Sequence, residues 1–172
     1  GEKERVFVLG TGSNILITDK KFDGVVIKLG RNFSNLSLLP NKIIVAGSAV
    51  TDKKLSEFAM NNNIGGFEFL SCIPGTVGGG LRINSGCFGS EFKDILVSVQ
   101  VIDKKGNIKT IPSSSIKFGY RQSPLDKDFI FLSASFKGKI KEKNEIVAHR
   151  QARPALPVAP AAARPIARRR VQ

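Results

Sequence analysis

The residues best suited to chemistry lie in a glycine-dense stretch. Residues 65–89 read GGFEFLSCIPGTVGGGLRINSGCFG and hold eight of the chain's seventeen glycines, at Gly65, Gly66, Gly75, Gly78, Gly79, Gly80, Gly86 and Gly89. Each glycine inside a helix or strand weakens it, so this density signals that something comes close to the backbone. Pro74 and Gly75 before Thr76 have the sequence of a tight turn opening a short helix. Such a helix is expected to leave the N–H groups of Thr76, Val77 and Gly78 free for a phosphate or a polar ring edge. A second loop, Leu9-Gly10-Thr11-Gly12-Ser13-Asn14, lies between apolar runs at 6–9 and 15–17. Two such loops suit a large, extended ligand. A turn that only packs a helix tightly on a sheet has the same composition, so the glycines alone do not name that ligand.

The elements that must position these loops follow from residue patterning. Residues 6–9 form a β-type run that resumes at 14–18 after the first loop; 24–29 and 42–46 are further strands, with turns at Asp23-Gly24 and Pro40-Asn41. The pattern predicts a helix over 51–63, with Thr51 as N-cap, Asp52 in the first turn, and Leu55, Phe58 and Ala59 on one face. Asn61, Asn62, Asn63 and Gly65 end it. A short helix over 76–84 follows. Residues 96–103 alternate, with Val97, Val99 and Val101 on one face, and turn through 104–107 into 108–111 as a hairpin. Residues 129–136 are nearly all apolar, as in a buried strand. The fold class is α+β. Gly10-Thr11-Gly12 precedes another β-type run instead of a helix, which is not the βαβ spacing of a Rossmann unit.

Composition narrows the function classes. The chain has 172 residues, the length of one large domain or one and a half small ones, and 41% are hydrophobic, enough for a packed core. No apolar run nears the roughly 20 residues of a membrane helix, and the first residues carry no apolar leader, so a cytoplasmic location and no membrane partner are expected. Cys72 and Cys87 stand without a second pair or an upstream histidine, and are read as small buried residues; no metal site is expected. The single histidine, His149, argues against histidine acid–base chemistry. A net charge of +13 would ordinarily point to nucleic acid, but six of the positive charges are arginines from Arg150 onward, leaving +7 for the rest. That remainder also suits a substrate carrying a diphosphate, and no nucleic-acid partner is expected.

Three motifs occur in order: LGTGSN, GFEFLSCIPGTVGGGLRINSGCFG and FGYRQS. Together they resemble the UDP-N-acetylenolpyruvoylglucosamine reductases, flavoenzymes that complete UDP-N-acetylmuramate in bacterial peptidoglycan synthesis. The resemblance spans roughly 6–141, and three ordered motifs are far more specific than one glycine fingerprint. It implies an FAD-binding fold of the PCMH/vanillyl-alcohol-oxidase type, with residues 1–47 the C-terminal part of a first FAD-binding subdomain and 48–141 a second. It implies reduction of the enolpyruvyl double bond of a UDP-sugar, with FAD as cofactor and NADPH as reductant.

By that resemblance Gly10, Thr11, Gly12, Ser13 and Asn14 would cradle the FAD pyrophosphate, and Ile73, Pro74, Gly75, Thr76, Gly78 and Gly79 would line the flavin or its phosphates. Arg121 takes the place of the family's catalytic arginine, and Tyr120 and Arg121 would meet substrate. A guanidinium grips a carboxylate through two hydrogen bonds and keeps its proton, so it can hold charge developing there. A surface arginine paired with Asp126 or Asp128 is the competing role. Asn84 is either a polar contact to ligand or a helix-ending cap. Glu68, between Phe67 and Phe69, is read as structural, since the sequence places no partner carboxylate near it.

The family's proton-donating serine and a further carboxylate come from a C-terminal substrate domain, and nothing after Lys141 resembles it. Residues 142–172 read instead as an atypical Ala/Pro/Arg-rich tail, disordered or non-native. Two alternatives follow: a non-catalytic flavin- or nucleotide-binding remnant, or a nucleic-acid-binding protein acting through the basic tail.

Overall fold

The structure, a computed structural model, describes residues 5–151. In chain order the elements are β1 (Val6–Val8), β2 (Val25–Ile27), β3 (Leu36–Leu39), β4 (Ile43–Gly47), α1 (Asp52–Asn61), β5 (Ile64–Gly65), α2 (Val77–Arg82), β6 (Gly86–Cys87), β7 (Ser90–Glu91) and α3 (Phe92–Ile95). Then come β8 (Leu96–Ile102), β9 (Ile108–Pro112), β10 (Ile130–Lys137), β11 (Lys139–Ile140) and α4 (Lys143–Gln151). The α+β class read from the sequence is what the chain adopts.

The body is a five-stranded antiparallel sheet in the order β3-β4-β10-β8-β9. The apolar run around 129–136 becomes β10, the middle strand, paired on both edges. Two bulges interrupt its ladder with β8. Phe131 pairs with Val101 and Ser133 with Gln100, so Leu132 has no partner; Ser135 pairs with Ser98 and Phe136 with Leu96, so Val97 has none. An extra residue in one strand flips the phase of side chains beyond it. Hence Leu96, Val99 and Val101 enter the core and Val97 stays half-buried, which corrects the expected Val97, Val99, Val101 face.

One face of the sheet is covered by the helices and by a 3-10 turn at Glu68–Cys72. Thr51 caps α1 as expected, its hydroxyl accepting the Lys54 N–H at 3.3 Å, and Leu55 and Ala59 are fully buried. Phe67, Phe69, Phe92 and Phe136 are buried together, with edge-on or tilted ring pairs 5.9–6.3 Å apart. Such pairs add about 0.5–1.5 kcal/mol each to the burial of the rings.

Three further expectations change. No strand forms over 14–18; Leu16 and Ile17 are exposed, and β1 instead pairs in parallel with β2. Cys72 and Cys87 are half-buried. The supposed tail begins as structure: α4 packs on α1 and on the 3-10 turn, burying Ile146, and His149 Nδ1 lies 3.7 Å from the Glu68 carboxylate. One apolar anchor per helical face suffices to dock a short helix whose isolated stability is marginal. The remaining tail, and with it the basic-tail alternative, lies outside the described residues.

Candidate functional site

The two glycine loops meet. The Thr11 hydroxyl donates to the Pro74 carbonyl at 3.3 Å, and a Cβ on Gly10 would stand 2.9 Å from Thr76 Oγ1. β1 delivers the first loop and the β4–α1 connection supports the second: Val77 N–H donates to Val50 O at 2.9 Å and Gly78 N–H to Ser48 O at 3.0 Å. This overturns the expectation that these two N–H groups stand free. The start of α2 is spent on holding the loop against the sheet, while the N–H groups of Thr11, Gly12, Ser13 and Asn14 have no acceptor among the described residues.

Between the loops lies a cavity of about 540 Å³. Its wall includes Gly10, Thr11, Gly12, Ser13 and Asn14 from the first loop, and Ile73, Pro74, Gly75, Thr76, Gly78 and Gly79 from the second. Arg121 reaches the same wall, and Tyr120 does not. Tyr120 is 86% exposed and lines a neighbouring cavity of about 440 Å³ with Arg121 and residues of the 86–94 segment. Arg121 therefore borders both spaces. Neither Asp126 nor Asp128 pairs with it; Asp128 instead bonds Lys104 at 2.7 Å. Glu68 accepts the Gly66 N–H at 2.7 Å and is 2% exposed, so it is built into the 3-10 turn, as read.

Several site residues carried no signal in the sequence. Arg82, on α2, donates to the carbonyls of Leu125, Asp126 and Phe129 and stacks 4.4 Å above the Phe131 ring. It fastens the 125–129 segment to the cavity wall. Burial lowers its pKa, and Asp126 and Asp128 act in the opposite sense. Asp52, the first residue of α1, is fully buried, and neither carboxylate oxygen finds a hydrogen bond. Burial pushes its pKa up to about 7. Its Oδ2 lies where a Cβ on Gly75 would come within 2.6 Å, so glycine is what lets the loop pass over it. Ser48 and Ser85, both on the cavity wall and 3% exposed, have hydroxyls without a partner. The signal for all of these is three-dimensional, since each is an ordinary polar residue in its local sequence.

This donor set fits a dinucleotide. Buried polar groups are nearly always satisfied, so the unpartnered Ser48 and Ser85 hydroxyls call for a ligand or water. The open N–H groups of residues 11–14 suit a pyrophosphate, and Lys28 and Arg121 on the wall supply positive charge.

The model of the family described as FAD binding domain matches residues 1–112. The chain belongs to the FAD-binding domain family. A UDP-N-acetylenolpyruvoylglucosamine reductase from Pelagibacter ubique (strain HTCC1062) is 67% identical over 146 residues, covering 85% of this chain and 48% of that protein. The crystal structure of a UDP-N-acetylenolpyruvylglucosamine reductase from Thermus caldophilus aligns with a TM-score of 0.79 and 29% identity, over 87% of this chain and 55% of that one. Quinoline 2-oxidoreductase from Pseudomonas putida 86 aligns with a TM-score of 0.60 at 13% identity, over 78% of this chain and 52% of that one, and shares the fold alone. The resemblance carried by the three sequence motifs is thereby borne out. The chain spans about half the length of the curated relatives it matches.

Proposed function

We propose that this chain is the FAD-binding part of an NADPH-dependent reductase that converts UDP-N-acetylglucosamine enolpyruvate to UDP-N-acetylmuramate in the cytoplasm of a bacterium. Within it, residues 1–47 and 48–141 are two subdomains that share the cofactor. The observation that carries the reading is that eleven residues from two loops about sixty positions apart line one cavity, with Arg121 on its wall.

FAD, when bound, supplies the hydride that reduces the enolpyruvyl double bond. The chain's own part is to hold and polarise. Residues 10–14 offer N–H groups and the Ser13 and Asn14 side chains to a pyrophosphate. Ile73, Pro74, Gly75, Thr76, Gly78 and Gly79 form a wall with few side chains, against which a flat ring can lie. Arg121 holds the substrate carboxylate and the negative charge that gathers there as the double bond is reduced, in a geometry a lysine cannot match.

The purified chain should turn yellow with FAD, and its melting midpoint should rise. A colourless chain with an unmoved midpoint would overturn the reading. Arg121→Lys should leave flavin uptake unchanged and cut NADPH-driven reduction of the UDP-sugar at least tenfold, measured as NADPH oxidation; an unchanged rate would remove Arg121 from the chemistry.

A further inference from the structure

Arg121 sits at the tip of a small turn whose conformation is costly. Gly119 N–H donates to Gln122 O at 3.0 Å and Gln122 N–H to Gly119 O at 3.2 Å, closing four residues with Tyr120 and Arg121 at the tip. Arg121 has φ +54°, a left-handed conformation that a side chain bearing a Cβ avoids. Such a residue stays there only when its surroundings over-determine it.

What grips this turn is Asn84. It is fully buried, follows the end of α2 with φ +44°, and lines neither cavity. Its Nδ2 donates to Gly119 O at 3.2 Å and to Glu91 Oε2 at 3.1 Å, while its Oδ1 accepts the Lys93 N–H at 3.1 Å. Reversing the amide would set donor against donor at Lys93, so the orientation is fixed. The Glu91 end is rigid as well. Its N–H bonds Asp94 Oδ2 at 2.8 Å in a reciprocal cap of α3, and its carboxylate meets Lys93 Nζ at 2.6 Å. Hydrogen bonding from Lys93, then from Asn84, and the charge of Arg121 keep that carboxyl ionised, below its ordinary range.

We infer that Asn84, braced by Glu91 and by the Lys93 amide, is the positioning residue that sets the Arg121 turn for substrate. Asn84 ends α2, as one of its two sequence readings holds, and acts through Gly119 instead of touching ligand. The inference rests on the role proposed for Arg121.

The test uses the full chain loaded with FAD and titrated with UDP-N-acetylglucosamine enolpyruvate, followed by the flavin absorbance. Asn84→Asp retains the acceptor for Lys93 and loses the donors to Gly119 and Glu91; Asn84→Ala loses all three. Both should bind FAD within twofold of the parent and the sugar at least tenfold more weakly. Asn84→Ala combined with Arg121→Ala should bind the sugar no more weakly than Arg121→Ala alone, because the two changes remove one interaction. Amide exchange at Gln122 should quicken in Asn84→Asp. A lowered melting midpoint with unchanged sugar affinity overturns the inference and leaves the proposed function standing. A parent chain that takes up no FAD, or FAD without the sugar, overturns the proposed function itself, and unchanged Gln122 exchange would then also deny Asn84 its hold on the turn. Should Asn84→Ala not fold, Glu91→Gln removes the charge from the far end of the brace and should weaken sugar binding about threefold.

Discussion

The two glycine loops look alike in sequence and do opposite things. In residues 10–14 the backbone is open: the residues from Thr11 on are exposed, and the N–H groups of residues 11–14 have no acceptors among the described residues. In residues 73–80 most of the backbone is spent, with the N–H groups of Gly75, Val77, Gly78 and Gly80 donated to carbonyls within the protein, while those of Thr76 and Gly79 have no acceptor among the described residues. There the glycines serve close approach, over Asp52 at Gly75, over Ser48 at Gly78 and over the Phe92 ring at Gly80. The lesson is that glycine density reports proximity without saying to what. One loop leaves its N–H groups open towards the cavity, and the other uses most of its own to build the opposite wall.

The largest expected effect tests the second loop through the acid beneath it. Asp52 has its folded pKa raised from 3.8 to about 7 by burial. Between those values the unfolded chain releases a proton that the folded chain keeps, so stability is whole below about pH 4 and falls as pH rises to about 7. Three pH units at about 1.4 kcal/mol each put the loss on the order of 4 kcal/mol. Asp52→Asn should flatten this slope in urea denaturation across the same range. An equal slope in the variant would show that water or a neighbour reaches the carboxyl, and that the loop is not sealed.

Next comes Gly80→Ala. An alanine in a helix usually stabilises by about 0.5–1 kcal/mol over glycine. Here the added methyl would overlap the Phe92 ring, and overpacking costs about 1–3 kcal/mol, so the sign should reverse and the melting midpoint should fall. A raised midpoint would mean that the second loop has room and the contrast is overstated. The smallest effect on folding belongs to Gly12→Ala. With φ +77° and its nearest foreign atom at 3.9 Å, it should cost about 1–2 kcal/mol of backbone strain and shift the midpoint by a few degrees, yet weaken FAD binding at least tenfold. Undiminished FAD affinity would move the pyrophosphate away from the first loop.

Much of the fold was legible because its signals are local. The Thr51 cap, the Leu55 and Ala59 face, the hairpin through residues 104–107 and the buried run that became β10 follow from propensity and period. The error at Val97 came from a bulge, which no alternation pattern reveals, because it is set by the partner strand. The expected strand at 14–18 failed for want of a partner: Leu16 and Ile17 are both 76% exposed, and apolar residues alone do not make a sheet. At the site, the loop residues announced themselves through glycine and motif order. Asp52, Arg82 and the two serines did not, and Asn84 showed itself only as a ligand contact or a cap, since their roles lie in what crosses the fold to meet them. Arg82 bonds residues 43 to 47 positions away, a distance no local pattern spans.

The place of β10 in the sheet bears on how the chain acquires its shape. β4 ends at Gly47 and β8 at Ile102, yet the two are not paired with each other; both wait for residues 130–137 to arrive between them. Until that strand emerges during synthesis, β3 with β4 and β8 with β9 are two separate hairpins, and a lone hairpin is marginal in water. Loop closure over some eighty residues must come before the main ladder rewards it, which places this domain among slow folders. A nascent chain cut short before Ile130 would present two unfinished sheet edges to its neighbours, the setting in which strands pair with the wrong partner.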